Sequence, residues 1–84
     1  MYDYCFTFRS VTLAQRGART LSKAGVWNTM VRTPKHLQQQ GCGYCLRVHE
    51  AQFALARELL RQEEIRYHKL YIKQPDDSWQ EVTE

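Results

Sequence analysis

Two of the three cysteines in this chain stand two residues apart, in Cys42-Gly43-Tyr44-Cys45 behind Gly41, and that spacing is the part of the sequence best suited to chemistry. It fits a redox pair, half of a metal site, or a nucleophilic thiol with a neighbour able to resolve it. Gly41 and Gly43 remove the side chains that would shield Cys42, so the backbone can present its sulfur to solvent. A thiol becomes a useful nucleophile when nearby positive charge or backbone N–H groups lower its pKa from ~8.5. Arg32, Lys35, His36 and Arg47 are close enough in sequence to supply that field. Cys45 is the candidate resolving thiol: strand alternation groups it with Arg47 and against Tyr44, Leu46 and Val48, which leaves it either packed or near Cys42. Cys5, inside an apolar run, reads as a packed residue.

The spacing bears differently on each rival use of these residues. His36, Cys42, Cys45 and His49 are four plausible metal ligands, but all crowd between residues 36 and 49. Two-cysteine, two-histidine zinc sites leave about a dozen residues between ligand pairs to wrap the ion, so no metal is expected. Thioredoxin-type chemistry places its Cys-x-x-Cys at a helix N-terminus, whereas the residues after Cys45 have strand character. A Cys42 to Cys45 disulfide in a smaller redox or regulatory module stays open. Basic charge with aromatics on the first strand is also a feature of RNA-recognition modules, and binding of RNA or protein is the third reading. The third strand lacks the aromatic signature of those modules, so nucleic acid is disfavoured.

The elements that must position the thiols follow from periodicity. Tyr2, Tyr4, Phe6 and Phe8 alternate with Asp3, Cys5, Thr7 and Arg9, which makes a strand with one apolar face. Ser10 can cap a helix carrying Val11, Ala14, Ala18 and Leu21, ended by Gly25. Val26 to Arg32 reads as a second strand, stopped at Thr33-Pro34, and Lys35 to Gly41 as a loop. Tyr44 to Val48 is a third strand, the stretch from His49 or Glu50 to Gln62 an amphipathic helix, and Tyr67 to Lys73 a fourth strand. The order β-α-β-β-α-β with short connections predicts a ferredoxin-like α+β fold, a four-stranded antiparallel sheet with both helices on one face. Residues 1–74 form that domain and residues 75–84 a short acidic tail carrying Trp79.

Composition narrows the class. A hydrophobic fraction of 43% and a charged fraction of 25% are those of a globular domain rather than a disordered chain. No segment approaches the ~20 apolar residues of a membrane span, and Met1-Tyr2-Asp3-Tyr4 is unlike the start of a secretion signal. The expectation is a cytoplasmic, reducing setting, where a close cysteine pair means thiol chemistry rather than a disulfide scaffold. Residues 1–74 hold all 12 Lys and Arg against 5 Asp and Glu, a balance of +7, so that body can attract an acidic partner.

The ordered set Thr7-Phe8-Arg9-Ser10, Leu21-Ser22-Lys23-Ala24-Gly25-Val26, Arg32-Thr33-Pro34, and Cys42-Gly43 followed by Leu46-Arg47-Val48 resembles a small bacterial family of selenium/sulfur carrier proteins. The resemblance covers about residues 4 to 73. It implies that Cys42 is a carrier thiol, with Gly43 beside it and Arg47 in the following strand. It further implies a persulfide or selenopersulfide taken from a donor such as a cysteine desulfurase and passed to an acceptor protein. Such a protein is a relay needing no cofactor, rather than an enzyme with its own turnover. Cys45 stands where the family more often has a small aliphatic residue.

Overall fold

Alternation along the first segment is realised as β1 (Asp3–Thr7) in the computed structural model, which describes residues 2–37 and 43–83. Gly41 and Cys42, with the three glutamines before them, lie outside the described residues. Ser10 caps α1 (Val11–Lys23) as its type suggests: its backbone is extended and its Oγ accepts the Leu13 N–H at 3.2 Å. Gly25, at φ +77°, turns the chain out of the helix, and the Val26 N–H closes the turn onto the Leu21 carbonyl at 2.9 Å.

β2 (Thr29–Arg32) begins later than the run of branched residues suggests. Val26 is drawn into the core at the helix end, and the Asn28 side-chain amide bonds the Val26 carbonyl and the Ser22 hydroxyl, so this stretch serves the turn. A 3-10 turn covers Lys35–Leu37, and the chain returns as β3 (Tyr44–His49). His49 stays in the strand rather than opening the helix, because it pairs with Asp3 in the sheet; a 3-10 turn at Glu50–Gln52 then leads into α2 (Phe53–Gln62). β4 (Leu70–Lys73) follows.

Among the described residues the sheet has five strands, not the four expected, in the order β2-β3-β1-β4-β5 with every neighbouring pair antiparallel. The added strand is β5 (Trp79–Glu81), which pairs Tyr71 with Glu81 and Lys73 with Trp79. Pro75-Asp76-Asp77-Ser78 reverses the chain instead of releasing it. Asp77 sits at φ +69° and donates its N–H to the Gln74 carbonyl, while the Asp76 carboxylate accepts from Ser78.

The two faces of this sheet have different jobs. One carries Phe6 and Phe8 of the first strand segment with Leu46, Val48 and Leu70, and packs them against Ala14 and Leu21 of α1 and Ala56 and Leu60 of α2. Both helices therefore lie on that face. The other face has no helix and holds a smaller cluster of Cys5, Cys45 and Tyr71, bordered by Val31, Leu37 and Trp79.

Candidate functional site

The strand directions bring the cysteine motif to a defined end of the sheet. β1 and β2 finish there, and β3 and β4 begin there. The Thr33 N–H donates to the Gly43 carbonyl at 2.9 Å, tying the end of β2 to the residue that follows Cys42. Gly43 is buried with φ +86°, a backbone conformation that a side chain at that position would oppose. Glycine at 43 thus meets a demand of the turn into β3.

Tyr44 points to the helix-covered side and Cys45 to the open side, as alternation predicts. The Arg32 guanidinium lies 5.3 Å over the Tyr44 ring. Arg9, Lys35, His36 and Arg66 are exposed on the segments meeting at the same end of the sheet. Beside it, an open hollow of ≈ 660 Å³ is lined by Arg57, Glu58, Arg61, Arg66, Tyr67 and His68. This end is predominantly basic, so it favours anionic groups.

Cys45 is fully buried, and so is Cys5. The register explains why they meet: Cys5 pairs with Arg47 and Thr7 with Cys45, so the cysteines are diagonal neighbours on the same face of two hydrogen-bonded strands. Their thiols are free and share a side-chain hydrogen bond. That bond lowers the Cys45 pKa, and the Thr33 hydroxyl lowers it further, against a burial cost that pushes the other way. The Cys5 pKa is raised, first by the same bond and then by burial, so Cys5 is the member of the pair that holds its proton more firmly. Sequence reasoning treated Cys5 as packing alone. The alternation of β1 had already put it on the same kind of face as Cys45, but only the register shows that they touch.

Arg47 lies further along the open face, where its Nε donates to Asp3 Oδ2 at 2.5 Å. Asp3 Oδ1 meets His49 Nδ1 at 3.2 Å, the His49 ring stacks on Trp27 with centroids 4.1 Å apart, and Arg47 lies 5.8 Å over Trp27. Partial burial pushes the Asp3 carboxyl up, but the bonds from Arg47 and His49 and their charges outweigh it, leaving its pKa lowered. Asp3 and Trp27 were not among the candidate residues and His49 was considered only as a metal ligand, because a polar strand face carries no local sign of what pairs with it.

The rival uses can be placed on the same frame. Cys45 and His49 stand at opposite ends of β3, four residues or roughly 13 Å apart along an extended strand, so they cannot share one ion. Among the described residues no group of three or more His, Cys, Asp and Glu is placed to hold a metal. The aromatics Tyr4 and Phe6 stack with Phe53 of α2, so they belong to the core and not to an open RNA-stacking surface. No helix among the described residues is long and apolar enough to cross a membrane.

A family model described as "Putative Se/S carrier protein-like" matches residues 3–72, a span running from β1 into β4 and including the whole cysteine motif. No curated protein matches the chain, and no solved structure matches it.

Proposed function

The chain belongs to the Se/S carrier protein-like family, and from that premise we propose that it carries one sulfane sulfur or selenium atom on Cys42 and relays it between a donor protein and an acceptor. The observation that carries this reading is the family match over residues 3–72, which takes in Cys42 and Gly43 together. The Cys42 thiolate attacks the terminal sulfur of a donor persulfide. The donor's S–S bond breaks, its cysteine leaves as thiolate, and the atom remains on Cys42 as a persulfide. The acceptor repeats the exchange in reverse roles. No electron leaves the pair, so the relay needs no cofactor.

In this reading the β-α-β-β-α-β core is a ferredoxin-like scaffold, with β5 added at one edge, in a cytoplasmic protein. Gly43 keeps the approach to Cys42 open. The exposed Arg9, Lys35 and Arg66 favour donors and acceptors that present an acidic surface, a cysteine desulfurase being the natural donor. Gly41 leaves the other side of the carrier thiol open, whereas Arg47, bonded to Asp3 further along β3, serves the sheet rather than this site.

Intact mass spectrometry after incubation with a cysteine desulfurase and free cysteine tests the proposal. The expected result is a gain of one sulfur atom, reversed by a thiol reductant, retained in Cys45→Ser and lost in Cys42→Ser. Selenocysteine in place of cysteine tests the heavier cargo. A gain that survives Cys42→Ser, or no gain in the wild-type chain, overturns the assignment.

A further inference from the structure

We propose that Cys5 and Cys45 form a second thiol site, separate from Cys42: a buried dithiol that peroxide converts to a disulfide joining β1 to β3. The site stands on geometry that does not involve Cys42. The two cysteines are diagonal neighbours on adjacent antiparallel strands, fully buried, and enclosed by Tyr71 with Val31, Leu37 and Trp79. The two thiols interact, and this with the nearby Thr33 hydroxyl lowers the Cys45 pKa while that of Cys5 is raised. That asymmetry divides the roles: Cys45 is the nucleophile and Cys5 the proton-bearing partner. Full burial excludes bulky disulfides such as oxidised glutathione, which makes a small oxidant such as hydrogen peroxide the reactant to test.

The reaction balances within the pair and the peroxide. The Cys45 thiolate attacks one peroxide oxygen, the O–O bond breaks, Cys45 becomes a sulfenic acid, and the departing hydroxide takes up the proton released in forming the thiolate. The Cys5 sulfur then attacks Cys45, the S–O bond breaks, and the oxygen leaves as a second water carrying the Cys5 proton. Two thiols are oxidised by two electrons and one peroxide is reduced to two waters. Diagonal positions are set wider than the ~5.5–6 Å Cα separation of a relaxed disulfide. Closure therefore draws β1 and β3 together, and the bond reopens readily to a dithiol reductant.

The reading also assigns Cys45 a different partner from the one its spacing suggests. In Cys42-Gly43-Tyr44-Cys45 the neighbour in sequence is Cys42, whereas the neighbour across the sheet is Cys5.

The test uses the full chain with Cys42→Ser, so that failure here leaves the carrier reading untouched. The protein is treated with hydrogen peroxide, unfolded, and exposed to N-ethylmaleimide, then weighed intact and after trypsin. The expected product has lost two hydrogens, takes up no maleimide, and yields one cross-linked species joining residues 1–9 to residues 36–47, released by dithiothreitol. A companion Cys5→Ala, Cys42→Ser variant is expected to accumulate a Cys45 sulfenic acid that dimedone traps, because the resolving thiol is gone. Uptake of two maleimides after peroxide, cross-links only between chains, or the same dimedone yield with and without Cys5 overturns the proposal.

Discussion

Leu46 and Cys45 are adjacent on β3, and both are fully buried, yet they belong to different regions of the molecule. Leu46 enters the layer between sheet and helices, among Phe6, Phe8, Leu60 and Val48. Cys45 enters the small cluster on the helix-free face, with Cys5 and Tyr71 buried beside it. The same contrast runs along β1, where Phe6 faces the helices while Asp3, Cys5 and Thr7 face away. Strand alternation thus divides the labour of one short segment, with one face holding the fold and the other left for polar groups and thiols. On this view, most of the stability resides on one side of the sheet and the chemistry can vary on the other.

Substitution of the two neighbours should expose the difference most strongly. Leu46→Ala opens a cavity in the main core and is expected to cost about 3 kcal/mol. Cys45→Ala removes one small buried atom from a minor cluster and is expected to cost about 1 kcal/mol. Urea midpoints of the two variants against the parent measure both. Equal losses would mean that the small cluster is as critical as the helix-covered core, and the division between faces would fail.

Gly17 allows a finer test of how tightly the helix side is packed. A Cβ there would lie 3.0 Å from Leu46 Cδ1 and 3.3 Å from both Leu60 Cδ2 and Phe8 Cζ. Alanine gains about 1 kcal/mol of helix propensity over glycine, but overpacking a filled core costs roughly 1–3 kcal/mol. Gly17→Ala is therefore expected to be destabilising by about 1 kcal/mol. A more stable variant would show that Leu46 and its neighbours yield easily and that this core is less rigidly filled than its burial suggests.

The same contrast governs what could be read from sequence. The helix-covered face was legible because its signals are local: the Tyr4, Phe6, Phe8 alternation, Ser10 ahead of α1 and Gly25 behind it all act within a few residues. The open face was not, since its features depend on strand register. Nothing in Cys5 by itself announces Cys45, and nothing in Asp3 announces Arg47 or His49, because each pair is separated by some forty residues and meets only when β1 lies against β3. The fifth strand was missed for a related reason. Trp79-Gln80-Glu81 is too short and too polar to signal a strand, and it becomes one because β4 offers an unpaired edge after a tight turn. Of the candidate site, Gly43 carried its signal in its type, while Gly41 and Cys42 lie outside the described residues.

The smallest expected effect tests whether the open face contributes any stability through its polar groups. Asp3 is held below its ordinary pKa by Arg47 and His49, so its carboxylate favours the folded state. The sign follows from linkage: a carboxyl with a lowered folded pKa stabilises above its unfolded value of about 3.9, and that stabilisation is lost as pH falls through the folded value. Asp3 is 17% exposed and Arg47 35%, so solvent screens the pair and the contribution is expected to be only about 0.5 kcal/mol. Asp3→Asn should therefore lower the urea midpoint slightly at pH 6, with the difference from the parent shrinking as the pH falls below the unfolded value of about 3.9. If the parent and Asp3→Asn fall in parallel across that range, the Asp3, Arg47 and His49 group adds nothing to folding. The helix-free face would then be held by its Cys5, Cys45 and Tyr71 cluster alone, sharpening the division between faces into one between packing and purely functional polarity.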